Sequence, residues 1–124
     1  MIAADSCVVI DLLEGLDTSQ VSKLAELLSS ANAVLTPATL TELLSAPKPQ
    51  RLLEDILPNF IVLDIDDGYW ERAGALRAKV LRAGRKAPFG DALIAQSCID
   101  ADVPLLTRDT DFAAFAKLGG LKLA

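Results

Sequence analysis

The 124-residue chain contains no histidine. That excludes His-based catalytic triads, His-ligated zinc and imidazole acid–base chemistry together. Catalysis, if present, has to use carboxylates, hydroxyls, lysine or a metal held by oxygen. There are only two cysteines, Cys7 and Cys98, both among apolar residues. They do not make a disulfide framework and read as small core residues. No apolar run approaches the roughly 18 residues of a membrane span, and no basic-then-apolar leader is present, so the expectation is a soluble, cytoplasmic protein. Repeats, low-complexity tracts and linkers are lacking as well. A single domain over residues 1–124 is expected, with 52% apolar residues to build one core.

Positive charge is scarce overall, with a formal net charge of −5, which argues against a generic nucleic-acid binder. It is also unevenly spread. Arg72, Arg77, Lys79, Arg82, Arg85 and Lys86 are six of the twelve basic residues, and no acid lies between Glu71 and Asp91. A basic edge beside an acidic pocket fits that distribution.

The hydrophobic pattern alternates strands and helices. A first strand ends near Asp5, and a helix over about 6–13 turns Val8, Val9, Leu12 and Leu13 inward. A second helix, capped within Asp17-Thr18-Ser19, carries the stripe Val21, Leu24, Ala25, Leu28. Ala33 to Thr36 reads as the second strand, and Pro37 suits the first turn of a helix through Leu44 that bears Glu42. Pro47-Lys48-Pro49 breaks the chain before a helix marked by Leu52, Leu53, Ile56 and Leu57. Phe60 to Ile65 is expected as the third strand and 68–83 as a long helix, whose exposed side, with Trp70 and Leu81, is a candidate contact surface, the core being the alternative for Trp70. Asp91 follows a Pro-Phe-Gly turn at a helix N-terminus. Val103 to Leu106 is a fourth, central strand, and a short helix to Leu118 precedes a last edge strand at 121–123. This order implies one parallel sheet with helices on both faces.

Three strand ends carry acids or lead into them. Asp5 ends the first strand, Asp109 and Asp111 follow the fourth, Glu42 lies on the helix after the second, and Asp91 opens the helix before the fourth. In open parallel α/β sheets ligands bind at that edge. Each acid alone has an ordinary reading as a cap, a turn residue or a solvated helix residue. Together they are informative, because two carboxylates about 4 Å apart repel by about 4 kcal/mol at an effective dielectric near 20. Several such pairs rival a whole domain stability of about 5–15 kcal/mol. A converging set must hold protons or contact a cation. Oxygen-only ligands suit Mg²⁺ or Mn²⁺, which can activate water for phosphodiester attack. Asp66-Asp67 are expected to cap a helix, and Asp11, Glu14, Asp100 and Asp102 to lie on solvated faces.

Four segments carry a resemblance: Asp5-Ser6 with Val8-Val9-Ile10-Asp11-Leu12-Leu13, Thr41-Glu42-Leu43-Leu44, Gly90-Asp91-Ala92-Leu93-Ile94-Ala95, and Leu106-Thr107-Arg108-Asp109-Thr110-Asp111-Phe112. In order and spacing the chain resembles a PIN domain and, more narrowly, the VapC-type toxins of toxin–antitoxin pairs. The resemblance implies a five-stranded parallel sheet in the order 3-2-1-4-5 and a Mg²⁺- or Mn²⁺-dependent endoribonuclease. It places the catalytic, metal-holding acids on Asp5, Glu42, Asp91 and Asp109, with Asp111 as accessory ligand and the Thr107 hydroxyl as support. Cys7 departs from the small polar residue usual there, and a thiol is a weak donor, so looser support around Asp5 is expected. Arg72, Lys79, Arg82, Arg85 and Lys86 are the candidates for gripping RNA. The resemblance also implies a homodimer and a cognate antitoxin. A non-catalytic PIN-fold binding module is the alternative and predicts lost acids. A receiver domain would need an acidic pair at the first strand and a late lysine, and an aspartyl phosphatase would need its motif after the first strand. The chain offers neither.

Overall fold

The chain turns from strand into helix at Asp5, and this junction sits at the middle of the molecule. The structure, a computed structural model, describes residues 1–48 and 50–124. Strand β1 (Ile2–Ala4) leads into α1 (Ser6–Leu13), which is followed by α2 (Ser19–Ser29), β2 (Ala33–Leu35) and α3 (Pro37–Leu44). Pro47 and Lys48 bend the chain ahead of α4 (Arg51–Ile56), while Pro49, part of the expected break, lies outside the described residues. A single 3₁₀ turn (Leu57–Asn59) brings in β3 (Ile61–Val62). Helices α5 (Tyr69–Arg82) and α6 (Phe89–Ala101), strand β4 (Leu105–Leu106) and α7 (Phe112–Gly119) complete the chain.

The strands are parallel in the order β3-β2-β1-β4. Successive side chains on a strand point to opposite faces, so β1, β2 and β4 each feed two cores, while both residues of the edge strand β3 are exposed. Ala3, Val34 and Leu105 pack against α5, α6 and α7 through Leu76, Val80, Ile94, Ala95, Phe112 and Phe115. Ala4, Leu35 and Leu106 face Val8, Val9, Leu24 and Leu43 on the other side. The buried face of α2 is Val21, Leu24 and Leu27; the expected Ala25 is exposed, because the helix is rotated toward Leu27.

The expected fifth strand is not formed. Leu121 to Ala124 meets β4 at one parallel bridge, Leu105↔Leu123, with Leu105 N–H donating to Lys122 O and Ala124 N–H to Leu105 O, both at 2.9 Å. The outer edge of β4 has little more to offer. Pro104 O and Leu106 O accept bonds from β1 and its end, and the Val103 N–H is used on Cys98 O at the end of α6. Among the described residues the sheet therefore has four strands, and the last segment continues its order by a single rung. At the other edge, β3 is shorter than the expected 60–65 because its strand ladder, β2 alone, is itself three residues long.

Candidate functional site

Helices α1, α3 and α6 and the β4–α7 loop meet at the carboxyl edge of the sheet. Asp5 is the N-cap of α1 and is 5% exposed. Its Oδ1 accepts from Ser6 N–H at 2.9 Å, and its Oδ2 accepts from Thr107 Oγ1 at 2.7 Å and from Cys7 Sγ at 3.3 Å. Every close donor to this buried carboxylate is thus a local or cross-strand protein group. Cys7, expected as a core residue and a weak point, is half-buried against Asp5 and supplies one of these bonds.

Thr107 joins β1 to the acidic loop. Its hydroxyl donates to Asp5 and accepts from Asp109 N–H at 3.0 Å, while Asp109 Oδ1 accepts from Asp111 N–H at 2.9 Å. These bonds curl the loop so that Asp109 and Asp111 face Asp91. Asp91 lies in the first turn of α6, two residues inside the helix that begins at Phe89 with Pro88 at the N-cap position, and so is not itself the cap. Asp91, Asp109 and Asp111 each offer an oxygen within 4.8 Å of the others. Asp5 and Glu42 are outside that tight group but within electrostatic range of it. Burial, followed by the charges of Asp109, Asp5, Asp111 and Glu42, pushes Asp91 up to about 6. Burial and the charge of Asp5 also raise Glu42.

An aspartate that holds its proton this far above the usual range marks burial first and, added to it, an excess of negative charge. Lys86, with Nζ 3.3 Å from Asp111 Oδ2, offsets part of it. The donor set is all oxygen, clustered and partly shielded from water. It fits a hard divalent cation.

Of the five basic candidates, Arg72 is committed elsewhere. Its Nε and Nη2 bind Asp100 at 3.0 and 2.7 Å, and Nη1 donates to Asp67 O, tying α5 to α6. Asp100, expected on a solvated face, is the partner that removes it. Lys79, Arg82 and Arg85 are exposed at the end of α5 and in the following loop. Trp70 is 60% exposed and is not core; with Ile65 and Leu93 it lines a cleft of about 260 Å³ that also includes Glu42 and Gly90.

Asp11 reverses its expectation. It is 5% exposed and receives Arg108 Nε at 2.8 Å and Nη2 at 3.3 Å. The signal was its position three residues after the buried Val8, on the inward side of α1.

With EDTA present, protein stability is expected to rise as pH falls from 7 to 5. The folded state raises Asp91 from 3.8 to about 6, so it binds a proton there more tightly than the unfolded chain does. That contribution is fully present below about 3.8 and is lost as pH rises through about 6. Melting temperatures at pH 5 and 7 measure it, and a metal-free protein that melts higher at pH 7 refutes the charge excess.

The PIN domain family model matches residues 2–118. A search of curated sequences returns no significant match. Among solved structures, a chain of the VapBC2 complex of Rickettsia felis bound to promoter DNA superposes with a TM-score of 0.77 at 20% identity, covering 100% of this chain and 98% of that one. FitAcB of Neisseria gonorrhoeae gives 0.76 at 21% identity, covering 99% and 96%, and DNA-bound VapBC of Salmonella typhimurium gives 0.77 at 20%, covering 100% and 98%. At these identities the structures show a shared fold, and the family match spans nearly the whole chain. The chain belongs to the PIN domain family.

Proposed function

We propose that this PIN domain is a Mg²⁺- or Mn²⁺-dependent endoribonuclease and the toxin of a toxin–antitoxin pair. The observation that carries the reading is the convergence of Asp91, Asp109 and Asp111 beside the buried Asp5, with Asp91 raised to about 6. Asp91, Asp109 and Asp111 would hold the cation, with Asp5 and Glu42 adding negative charge around it. Bound there, the cation would supply Lewis acidity toward water and toward the charge on the phosphate.

The protein's own part is positional. Asp5 and Thr107 fix the start of the acidic loop through bonds that do not depend on the cation. Lys86 brings a positive charge next to Asp111, where a substrate phosphate would otherwise meet only carboxylates. Lys79, Arg82 and Arg85 form the basic edge along which an RNA backbone would lie. The exposed Trp70, Ile65 and Phe89 are suited to burial against a second copy or an antitoxin. Complexes named as toxin–antitoxin pairs among the structural neighbours support the antitoxin partner. No helix of the described residues is long and apolar enough to cross a membrane, and the proposed place of action is the cytoplasm.

Incubating the protein with a mixed RNA pool tests the reading. Cutting with Mn²⁺ or Mg²⁺ that stops with EDTA is expected; a folded protein that neither cuts nor binds Mn²⁺ leaves the non-catalytic binding module. Replacing Lys79, Arg82 and Arg85 with alanine is expected to weaken RNA binding evenly across sequences. The slope of log affinity against log salt should fall by about 0.7 for each phosphate of a single strand that is no longer neutralised. An unchanged slope would remove these residues from the RNA path.

A further inference from the structure

The ion pair between the buried Asp11 and Arg108 joins α1 to the loop that bears the acids. Helix α1 carries Asp5 at its N-cap and Asp11 in its second turn, and both reach the same short segment. Thr107 Oγ1 donates to Asp5, and the next residue, Arg108, closes a two-point fork on Asp11 at 2.8 and 3.3 Å. A loop held at one point can pivot, whereas one held at two adjacent residues on a single helix has its direction set. Asp109 follows immediately, with its N–H on Thr107 Oγ1. The Asp11 side chain is 7% exposed and that of Arg108 56%. A carboxylate this deeply buried requires a paired charge, and the planar guanidinium supplies one with directional geometry.

We propose that Asp11 and Arg108 are positioning residues for the acidic cluster: their ion pair orients the 107–111 loop and thereby the Asp109 carboxylate, without either residue touching a bound cation. The inference rests on the metal-dependent reading of the site. It differs from a purely structural role because it makes cation affinity depend on the fork geometry as well as on the charge.

The test is Mn²⁺ titration by calorimetry on the full chain, with melting temperature measured alongside. The variants are Asp11→Asn, Asp11→Glu, Arg108→Lys and the Asp11→Asn/Arg108→Lys double. Asp11→Asn and Arg108→Lys are each expected to weaken Mn²⁺ binding about 10-fold, the lower end for partners that orient ligands. Arg108→Lys keeps the charge and loses the fork, and its exposed position makes it the variant that decides if Asp11→Asn fails to fold. The double variant should be no weaker than the worse single, since both act through one ion pair, and Asp11→Glu should recover part of the affinity. Folded variants with wild-type Mn²⁺ affinity overturn the inference and leave the nuclease reading standing. So does a raised KM for RNA confined to the Arg108 variant at unchanged Mn²⁺ affinity, which would make Arg108 a substrate-binding residue. A wild-type protein that binds no Mn²⁺ overturns the metal reading and this inference together.

Discussion

Asp91→Asn is expected to reduce metal-dependent RNA cutting by at least about 100-fold and, in the same protein, to raise the melting temperature of the metal-free form. The two effects have one cause. Asp91 is the acid pushed up to about 6, by burial first and then by the charges of Asp109, Asp5, Asp111 and Glu42. Its ionised form is costly in the folded protein without a cation, and the proposed cation would offset that cost. Asparagine keeps the shape and removes the charge. For the proposed cation site, it takes one carboxylate from a cluster of three, and losses of about 10²-fold or more are expected when a preorganised electrostatic partner of a reaction centre is removed. For stability, the substitution removes the cost of a buried charge and relieves repulsion from the neighbouring acids. Asp91 is only partly shielded from water, so solvent screening reduces the gain to about 1 kcal/mol, or roughly 3–5 °C at this chain length. The pair of assays is cleavage of the RNA pool at saturating Mn²⁺ and thermal melting in EDTA. Cutting that survives the substitution would sink the assignment of this cluster as the reaction centre. Unchanged cutting together with a lower melting temperature would make Asp91 a helix-end stabiliser and nothing more.

Phe112→Ala carries the largest expected loss of stability. Phe112 is fully buried, directly follows Asp111, and packs at 6.1 Å between ring centroids against Phe115, one turn further along α7. Truncating a buried Phe to Ala costs about 3–5 kcal/mol through lost transfer energy and the cavity left behind. Against a total of about 5–15 kcal/mol, that leaves a marginal domain. The effect extends to the site. The Phe112 N–H bonds Asp109 O and the ring anchors the first turn of α7, so the acidic loop loses its downstream support. Urea denaturation should show the midpoint falling with little change in slope, and Mn²⁺ affinity should fall in the protein that remains folded. A loss under about 1 kcal/mol would mean that the core around α7 recloses and that the loop is held from the Asp5 side alone.

The elements were legible because their signals are local. Pro37 at the start of α3, the Thr18 side chain accepting from Val21 N–H at the start of α2, and the spacing of Val8 and Val9 in α1 are each complete within a few residues. That the sheet is parallel followed from strand–helix alternation, whereas the order of its first four strands was implied by the resemblance to PIN domains. The fifth strand did not form, although Leu121-Lys122-Leu123 reads as one, because the N–H of Val103 is used at the end of α6. That competition arises between residues on different elements and is invisible in either alone.

The candidate site divides in the same way. The sequence by itself determined that no imidazole takes part, that carboxylates stand at several strand ends, and that basic residues gather between Glu71 and Asp91. Composition and local periodicity suffice for these. Only the tertiary structure decided that Asp91, Asp109 and Asp111 form the tight group while Asp5 lies beneath it, bonded to Thr107. It also decided that Arg72 is spent on Asp100 and that Asp11 is buried under Arg108. The bonds Arg72–Asp100, Asp11–Arg108 and Asp5–Thr107 join partners 28, 97 and 102 residues apart, and Asp91 reaches its group from a different element than Asp109 and Asp111. A charged side chain on a helix has the same local pattern whether it meets solvent or a distant counter-charge. Which of the two it meets is set when the sheet brings those segments together.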